Sequence, residues 1–302
     1  MYTKIKPLLH MTTIFILYFL TLSFSDTAFQ ICPTFIFLSE LLYICLDIIC
    51  VRILVYLYAT HILKRPLSGI FIRRQPPLWQ ICAMGIILLT SVLVFIVTVT
   101  EGSFHKDSLP FKEQAWLCFV TVCSDGIRRA VTEEMLFRGL AAGALLQTDA
   151  SPAATLTVSG IRKDASEKRS ILYTALLYAA VHAISLDMEV SSGLLIFILE
   201  AFLASMVLSV ITRLTGSIRT AVVIHAVYLV FSGNSALFSV GIRQEQPAVW
   251  RYVPASSGSF LSEAAGWEPR FISITAYLLL LAAVIIYDRN YDRNYDRKKV
   301  KP

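Results

Sequence analysis

Charge is scarce in this 302-residue chain: Asp, Glu, Lys and Arg make up 16% of it, against 56% hydrophobic residues. With a mean hydropathy of +0.65, that balance excludes an ordinary soluble domain, and several apolar runs are long enough to cross a bilayer. Zinc-finger spacing and RNA-binding signatures are missing. The net charge of +6 therefore reports cytoplasmic loops of a membrane protein rather than nucleic-acid binding. Cys-x-x-Cys pairs are missing too. The six cysteines are Cys32, Cys45, Cys50, Cys82, Cys118 and Cys123, and all but Cys32 fall inside apolar runs. They read as small core residues, neither metal ligands nor a disulfide framework. A clean small-x-small cleavage site is absent after the first apolar run, so that run reads as an uncleaved span and not as a signal peptide.

What is present is a succession of apolar segments: 8–24, 34–60, 78–100, 111–127, 171–185, 193–212, 220–238 and 271–287. They predict an all-α fold, a polytopic transmembrane helix bundle of about eight spans. An even number puts both termini on one side. With the N-terminus inside, the outer loops carry only Lys106, Lys112, Arg243, Arg251 and Arg270 of the 27 basic residues, and Arg52 sits within a span. That bias puts the N- and C-termini in the cytoplasm. Four regions follow: N-terminal membrane helices (1–110), a core (111–238), an outer loop with the last membrane helix (239–287), and a basic low-complexity tail (288–302). Within the second span, Glu40 and Asp47 are seven residues apart and share a face, expected toward the bundle interior, while Arg52 snorkels to the interface. Residues 148–170 are polar and read as the longest cytoplasmic loop.

The densest charge sits in Val131-Thr132-Glu133-Glu134-Met135-Leu136-Phe137-Arg138-Gly139. On a helix Glu134 and Arg138 are i,i+4 neighbours and pair. Glu133 is rotated about 100° from Glu134 and is expected to be left free, as a carboxylate available to act as a general base. In isolation the pattern would mark only the wet end of a helix. Two histidines in the middle of apolar spans, His182 and His225, change that, because such groups are expensive there without partners. Two acids and two imidazoles on three helices would make a polar pocket. Glu133 and His182 could activate a water while His225 stabilises an oxyanion. Alternatively Glu133, His182 and His225 could bind zinc and leave a coordination position for water.

These residues resemble the CPBP group of intramembrane proteases, which includes type II CAAX prenyl endopeptidases and bacterial bacteriocin-processing or immunity (Abi-type) proteins. The family's Glu-Glu-x-x-x-Arg motif is matched by Glu133, Glu134 and Arg138, followed by Gly139. Its Phe-x-x-x-His motif is matched at His182, with Tyr178 in the aromatic position. Its His-x-x-x-Asn motif, often preceded by a Thr-Gly-Ser-Ile-like turn, is matched by Thr215-Gly216-Ser217-Ile218 and His225, but Leu229 stands where the Asn belongs. The resemblance spans roughly 111–238. It implies that Glu133 and His182 activate water and that His225 belongs to the oxyanion site. A leucine cannot donate a hydrogen bond, so Leu229 removes a donor; Tyr228, one turn beyond His225, is the candidate to replace it.

The sequence thus points to an integral, multi-pass membrane endopeptidase, expected in the inner membrane of a bacterium with its active site toward the cytoplasm. Its partners would be a membrane protein or peptide substrate and the lipid bilayer, without nucleic acid. The cofactor expectation is none, or zinc. The alternative is a catalytically weak or inactive member that acts as a peptide-binding or immunity protein. A transporter with a Glu/His proton relay fits less well, since the three groups follow the order of a hydrolase motif set.

Overall fold

The computed structural model of the protein describes residues 9–20, 36–64, 102–106, 108–142, 144–145, 160–185, 192–215, 217–231, 238–240 and 249–254, and positions 274, 277, 278, 281 and 282. Helices dominate. In chain order they are α1 (Leu9–Leu20), α2 (Ile36–Leu57, continued by a π-turn over Tyr58–Ile62), α3 (111–141), α4 (Gly160–Ser185), α5 (Ser192–Thr215) and α6 (Ile218–Phe231). The expected third span, 78–100, the tail 288–302 and most of the last span lie outside the described residues.

Local chemistry explains several helix ends. Pro110 lacks an N–H to leave unsatisfied and precedes the first residue of α3, while its carbonyl accepts from Gln114 N at 3.0 Å. At the α5–α6 turn, the Thr215 hydroxyl donates to Ile211 O at 2.8 Å, closing α5. Ser217 Oγ accepts from Arg219 N at 3.3 Å, the work of an N-cap serine. The Thr-Gly-Ser-Ile stretch therefore ends one helix and starts the next, and so sets where His225 falls two turns later.

Helix α3 is not a regular α-helix. Its α-helical turns Phe111–Phe119 and Arg129–Glu134 alternate with π-helical stretches Val120–Arg128 and Met135–Ala141. Extra residues per turn of this kind are rare and tend to occur at functional sites. Here they bracket Glu133 and Glu134. Gly126 lies in the first π stretch and is where α6 crosses α3: a Cβ there would come 2.7 Å from Val230 Cγ2 and 3.6 Å from Ala226 O. The missing side chain lets the helix that carries Glu133 approach the helix that carries His225. The core continues through Leu136, Phe137 and Leu140 of α3, Val51 and Val55 of α2, Tyr18 of α1 and Tyr178 and Val181 of α4.

Two helices among the described residues are long and apolar enough to cross a membrane, Leu38–Ile62 and Leu194–Arg213. Their outward faces are oily: Leu38, Ile49, Ile53, Ile62 and Leu195 are each more than half exposed. A row of large apolar side chains is unfavourable in water and suits lipid. On the inward side of α2, Glu40 and Asp47 are buried, as their seven-residue spacing predicts, while Arg52 is exposed. Asp47 accepts from Arg128 Nη1 at 3.1 Å and from Thr132 Oγ1 at 3.0 Å. It ties α2 to the turn just before Glu133.

The structure corrects the all-α expectation in one respect. Gly102–Lys106 (β1), Phe238–Val240 (β2) and Trp250–Pro254 (β3) form a three-stranded sheet in the order β1-β3-β2, antiparallel between β1 and β3 and parallel between β2 and β3. β1 falls in the gap between the expected spans 78–100 and 111–127, and β3 in the expected outer loop after residue 238. Gly102 pairs with Pro254 and Lys106 with Trp250, a contact so distant in sequence that no local pattern announces it. Phe238, assigned to the seventh span, begins β2. The expected loop at 148–170 is also shorter, because α4 starts at Gly160 and so runs through the polar residues 160–170 before the apolar segment. The cysteines are a further correction. Cys45 is exposed, Cys50, Cys118 and Cys123 are half-buried, and all four are free thiols. They line helix surfaces rather than fill the core.

Candidate active site

Five residues singled out from the sequence, Glu133, Glu134, Arg138, His182 and His225, come together where α3, α4 and α6 meet. All are buried, none more than 4% exposed. The i,i+4 pair forms as the spacing requires: Arg138 Nη1 donates to Glu134 Oε1 at 3.0 Å. The same oxygen lies 2.8 Å from His225 Nδ1. A carboxylate only accepts, so that nitrogen carries the proton and the opposite ring nitrogen, Nε2, is turned toward Glu133 Oε2, 3.7 Å away. Glu134 thus couples the arginine on α3 to the histidine on α6 and orients the imidazole.

His182 is oriented by its own helix. Its Nδ1 lies 2.9 Å from the carbonyl oxygen of Tyr178, which again can only accept. Nε2 is then the face presented to the pocket, 3.5 Å from Glu133 Oε1. A water at about 2.8 Å from both atoms, an ordinary hydrogen-bond length, satisfies that separation. The two imidazoles flank different oxygens of one carboxylate: His182 attends Oε1 and His225 attends Oε2.

Glu133 is not free, which corrects the expectation drawn from its spacing to Arg138. Arg129, one turn earlier on α3, donates from Nε to Glu133 Oε1 at 2.7 Å and places Nη2 3.3 Å from His182 Nε2. Its side chain is 43% exposed, so it forms the boundary between the buried carboxylate and the outside. The second partner is Tyr178, whose hydroxyl donates to Glu133 Oε2 at 2.6 Å and lies 3.5 Å from His225 Nε2. Both were within reach of sequence reasoning. Arg129 obeys the same i,i+4 rule that identified Arg138, and Tyr178 is the visible departure from the second motif.

Tyr178 is also the most tightly held ring of the site. It stacks on His182 with centroids 4.0 Å apart, meets Phe137 edge-on at 4.9 Å, and lies under the Arg138 guanidinium at 4.9 Å. Tyr18 of α1 packs against both Phe137 and His182, at 5.8 and 6.2 Å. Tyr228, the residue expected to add a donor beside His225, instead donates to Glu200 of α5 and packs on Tyr277 at 5.1 Å.

The residues present do not fit a zinc ion well. Among the described residues no group of three His, Cys, Asp or Glu is arranged to hold a metal. The Arg129 guanidinium also contacts Glu133 Oε1 at 2.7 Å and lies 3.3 Å from His182 Nε2, a fixed positive charge that opposes a cation held by the same two atoms. The arrangement is suited instead to moving a proton at Glu133, with one imidazole on each side and fixed positive charge nearby.

Residues 112–231 match the family model described as Type II CAAX prenyl endopeptidase Rce1-like. The match contains Glu133, Glu134, Arg138, Tyr178, His182 and His225. No curated protein and no solved structure matches the chain.

Proposed function

From the match of residues 112–231 to the Rce1-like type II CAAX prenyl endopeptidase family model, we propose that this protein is an integral membrane, intramembrane endopeptidase. It hydrolyses a peptide bond of a membrane-associated protein or peptide by means of a water activated between Glu133 and His182. The observation that carries this reading is the 3.5 Å separation of His182 Nε2 and Glu133 Oε1, both on buried side chains.

A water shares Glu133 Oε1 with Arg129, or displaces it, and gives one proton to the carboxylate as its oxygen attacks the scissile carbonyl carbon. The carbonyl electrons move onto oxygen, and the resulting oxyanion lies on the Oε2 side, near His225. On collapse the C–N bond breaks and the proton held by Glu133 passes to the leaving nitrogen. Glu134 and Arg138 do not touch substrate in this scheme; they hold His225 in place. Fixed, buried donors of this kind act strongly because they need no reorientation during the reaction.

The topology proposed for the whole chain has eight spans with both termini in the cytoplasm. The distribution of Lys and Arg supports it, and it puts Glu133 near the inner face. The family name makes prenylated C-terminal peptides the first substrates to try. The test is to purify the protein in detergent and offer peptide libraries with and without prenyl groups to wild type and to Glu133→Ala. Cleavage by wild type alone, persisting after chelation, is the expected result; peptide bound but uncut by either protein would end the proposal.

A further inference from the structure

We infer that the Tyr178 hydroxyl is the second donor to the oxyanion, beside His225, and so a catalytic residue of this enzyme. The inference rests on the hydrolytic reading above and assigns a role that His225 cannot fill alone.

The geometry divides the carboxylate of Glu133 into two sides. On the Oε1 side stand Arg129 and His182; on the Oε2 side stand Tyr178 and His225. Water is activated on the first side, so the carbonyl oxygen that becomes negative is left to the second. The Tyr178 hydroxyl is 2.6 Å from Oε2 and 3.5 Å from His225 Nε2, so one oxyanion can lie within hydrogen-bond length of both; His225 donates to it from Nε2 as the imidazolium, with Nδ1–H kept on the Glu134 carboxylate. Its ring is fixed on three sides by His182, Phe137 and Arg138. A donor this constrained loses little freedom when the transition state forms.

Before attack, the phenol donates to the carboxylate. Once Glu133 has taken the proton of the attacking water, it is a neutral acid and a weaker acceptor. The Tyr178 O–H can then turn to the new oxyanion, a stronger acceptor. No proton leaves the tyrosine; it donates a hydrogen bond and recovers its first partner when Glu133 surrenders its proton to the leaving nitrogen. Two features of the sequence are joined by this assignment. Leu229 has no donor to offer one turn past His225, and Tyr228 is engaged with Glu200. The hydroxyl supplied at position 178 makes up the pair from a different helix.

Tyr178→Phe in the full-length protein, in detergent, removes the donor and keeps the ring. The expected result is a fall in kcat on the order of 100- to 1000-fold, with KM within about threefold and a parallel loss of affinity for a phosphinic peptide, whose tetrahedral oxygen imitates the oxyanion. Turnover within about threefold of wild type, or a loss confined to KM, would overturn the inference. If the Phe variant does not fold, 3-fluorotyrosine at 178 keeps ring and hydroxyl while altering donor strength; an unchanged kcat there also overturns it. Glu133→Ala separates the two levels. Wild type no more active than Glu133→Ala removes the hydrolytic reading and this one with it, whereas an active wild type, an inactive Glu133→Ala and an undiminished Tyr178→Phe remove only this one.

Discussion

Arg129 stands one helical turn before Glu133, and its Nε meets Glu133 Oε1 at 2.7 Å while Nη2 approaches His182 Nε2 at 3.3 Å. One guanidinium therefore spans the acid and the imidazole that face each other 3.5 Å apart. A lysine cannot do this, since it lacks the planar fork. Arg129→Ala is expected to lower kcat about tenfold, roughly 1.4 kcal/mol in the barrier, through loss of alignment between Glu133 and His182. Arg129→Lys should fall closer to Ala than to wild type. Steady-state cleavage rates of the three proteins check this.

Glu134 supports His225 from behind. Its Oε1 takes hydrogen bonds from both Arg138 and His225. Glu134→Gln removes the charge that holds the imidazole proton at Nδ1. The expected outcome is a loss of about 100-fold in kcat with KM nearly unchanged. A drop seen mainly in KM would mean that Glu134 faces substrate rather than His225.

Asp47 lies far from the motif in sequence and is expected to matter for stability. It is buried and accepts from Arg128 and Thr132, so Asp47→Asn leaves Arg128 short of a countercharge. Breaking one partner of a buried pair costs about 3 kcal/mol. The melting temperature in detergent should fall clearly, while the kcat of the protein that remains folded stays near wild type.

Gly126 carries a steric prediction. An added methyl would sit 2.7 Å from Val230 Cγ2 and 3.2 Å from Thr121 O. Gly126→Ala should therefore push α6 from α3 and destabilise the protein by about 1–3 kcal/mol. Val230→Ala in the same chain removes the offending methyl. The double variant should melt above Gly126→Ala alone, and additive losses in a double-mutant cycle would show that the two positions do not touch.

Much of the candidate site was legible in the sequence. Glu134–Arg138 follows from helical periodicity, and the order of Glu133, His182 and His225 along the chain follows a motif set. Arg129 obeys the same i,i+4 rule toward Glu133, but it lies before the Glu-Glu-x-x-x-Arg motif and not within it. Tyr178 was visible as an aromatic substitution, yet the reach of its hydroxyl to Glu133 on another helix depends on how α3 and α4 pack. Tyr228 shows the same limit from the other side: i+3 spacing placed it near His225 in sequence, and Glu200 on α5 drew its hydroxyl away. The sheet joining Gly102–Lys106 to Trp250–Pro254 rests on partners brought together only by the whole bundle. The π-helical turns of α3 escape a reading that assumes 3.6 residues per turn.

The most direct measurement is the cleavage rate of one peptide by wild type and by Glu133→Gln, purified in the same detergent and shown to share a melting profile. An amide at this position keeps the shape of the carboxylate but cannot take a proton from water. The predicted result is a rate at least about 1000-fold lower in the variant. A Glu133→Gln protein that cleaves as fast as wild type would contradict the assignment of Glu133 as the base.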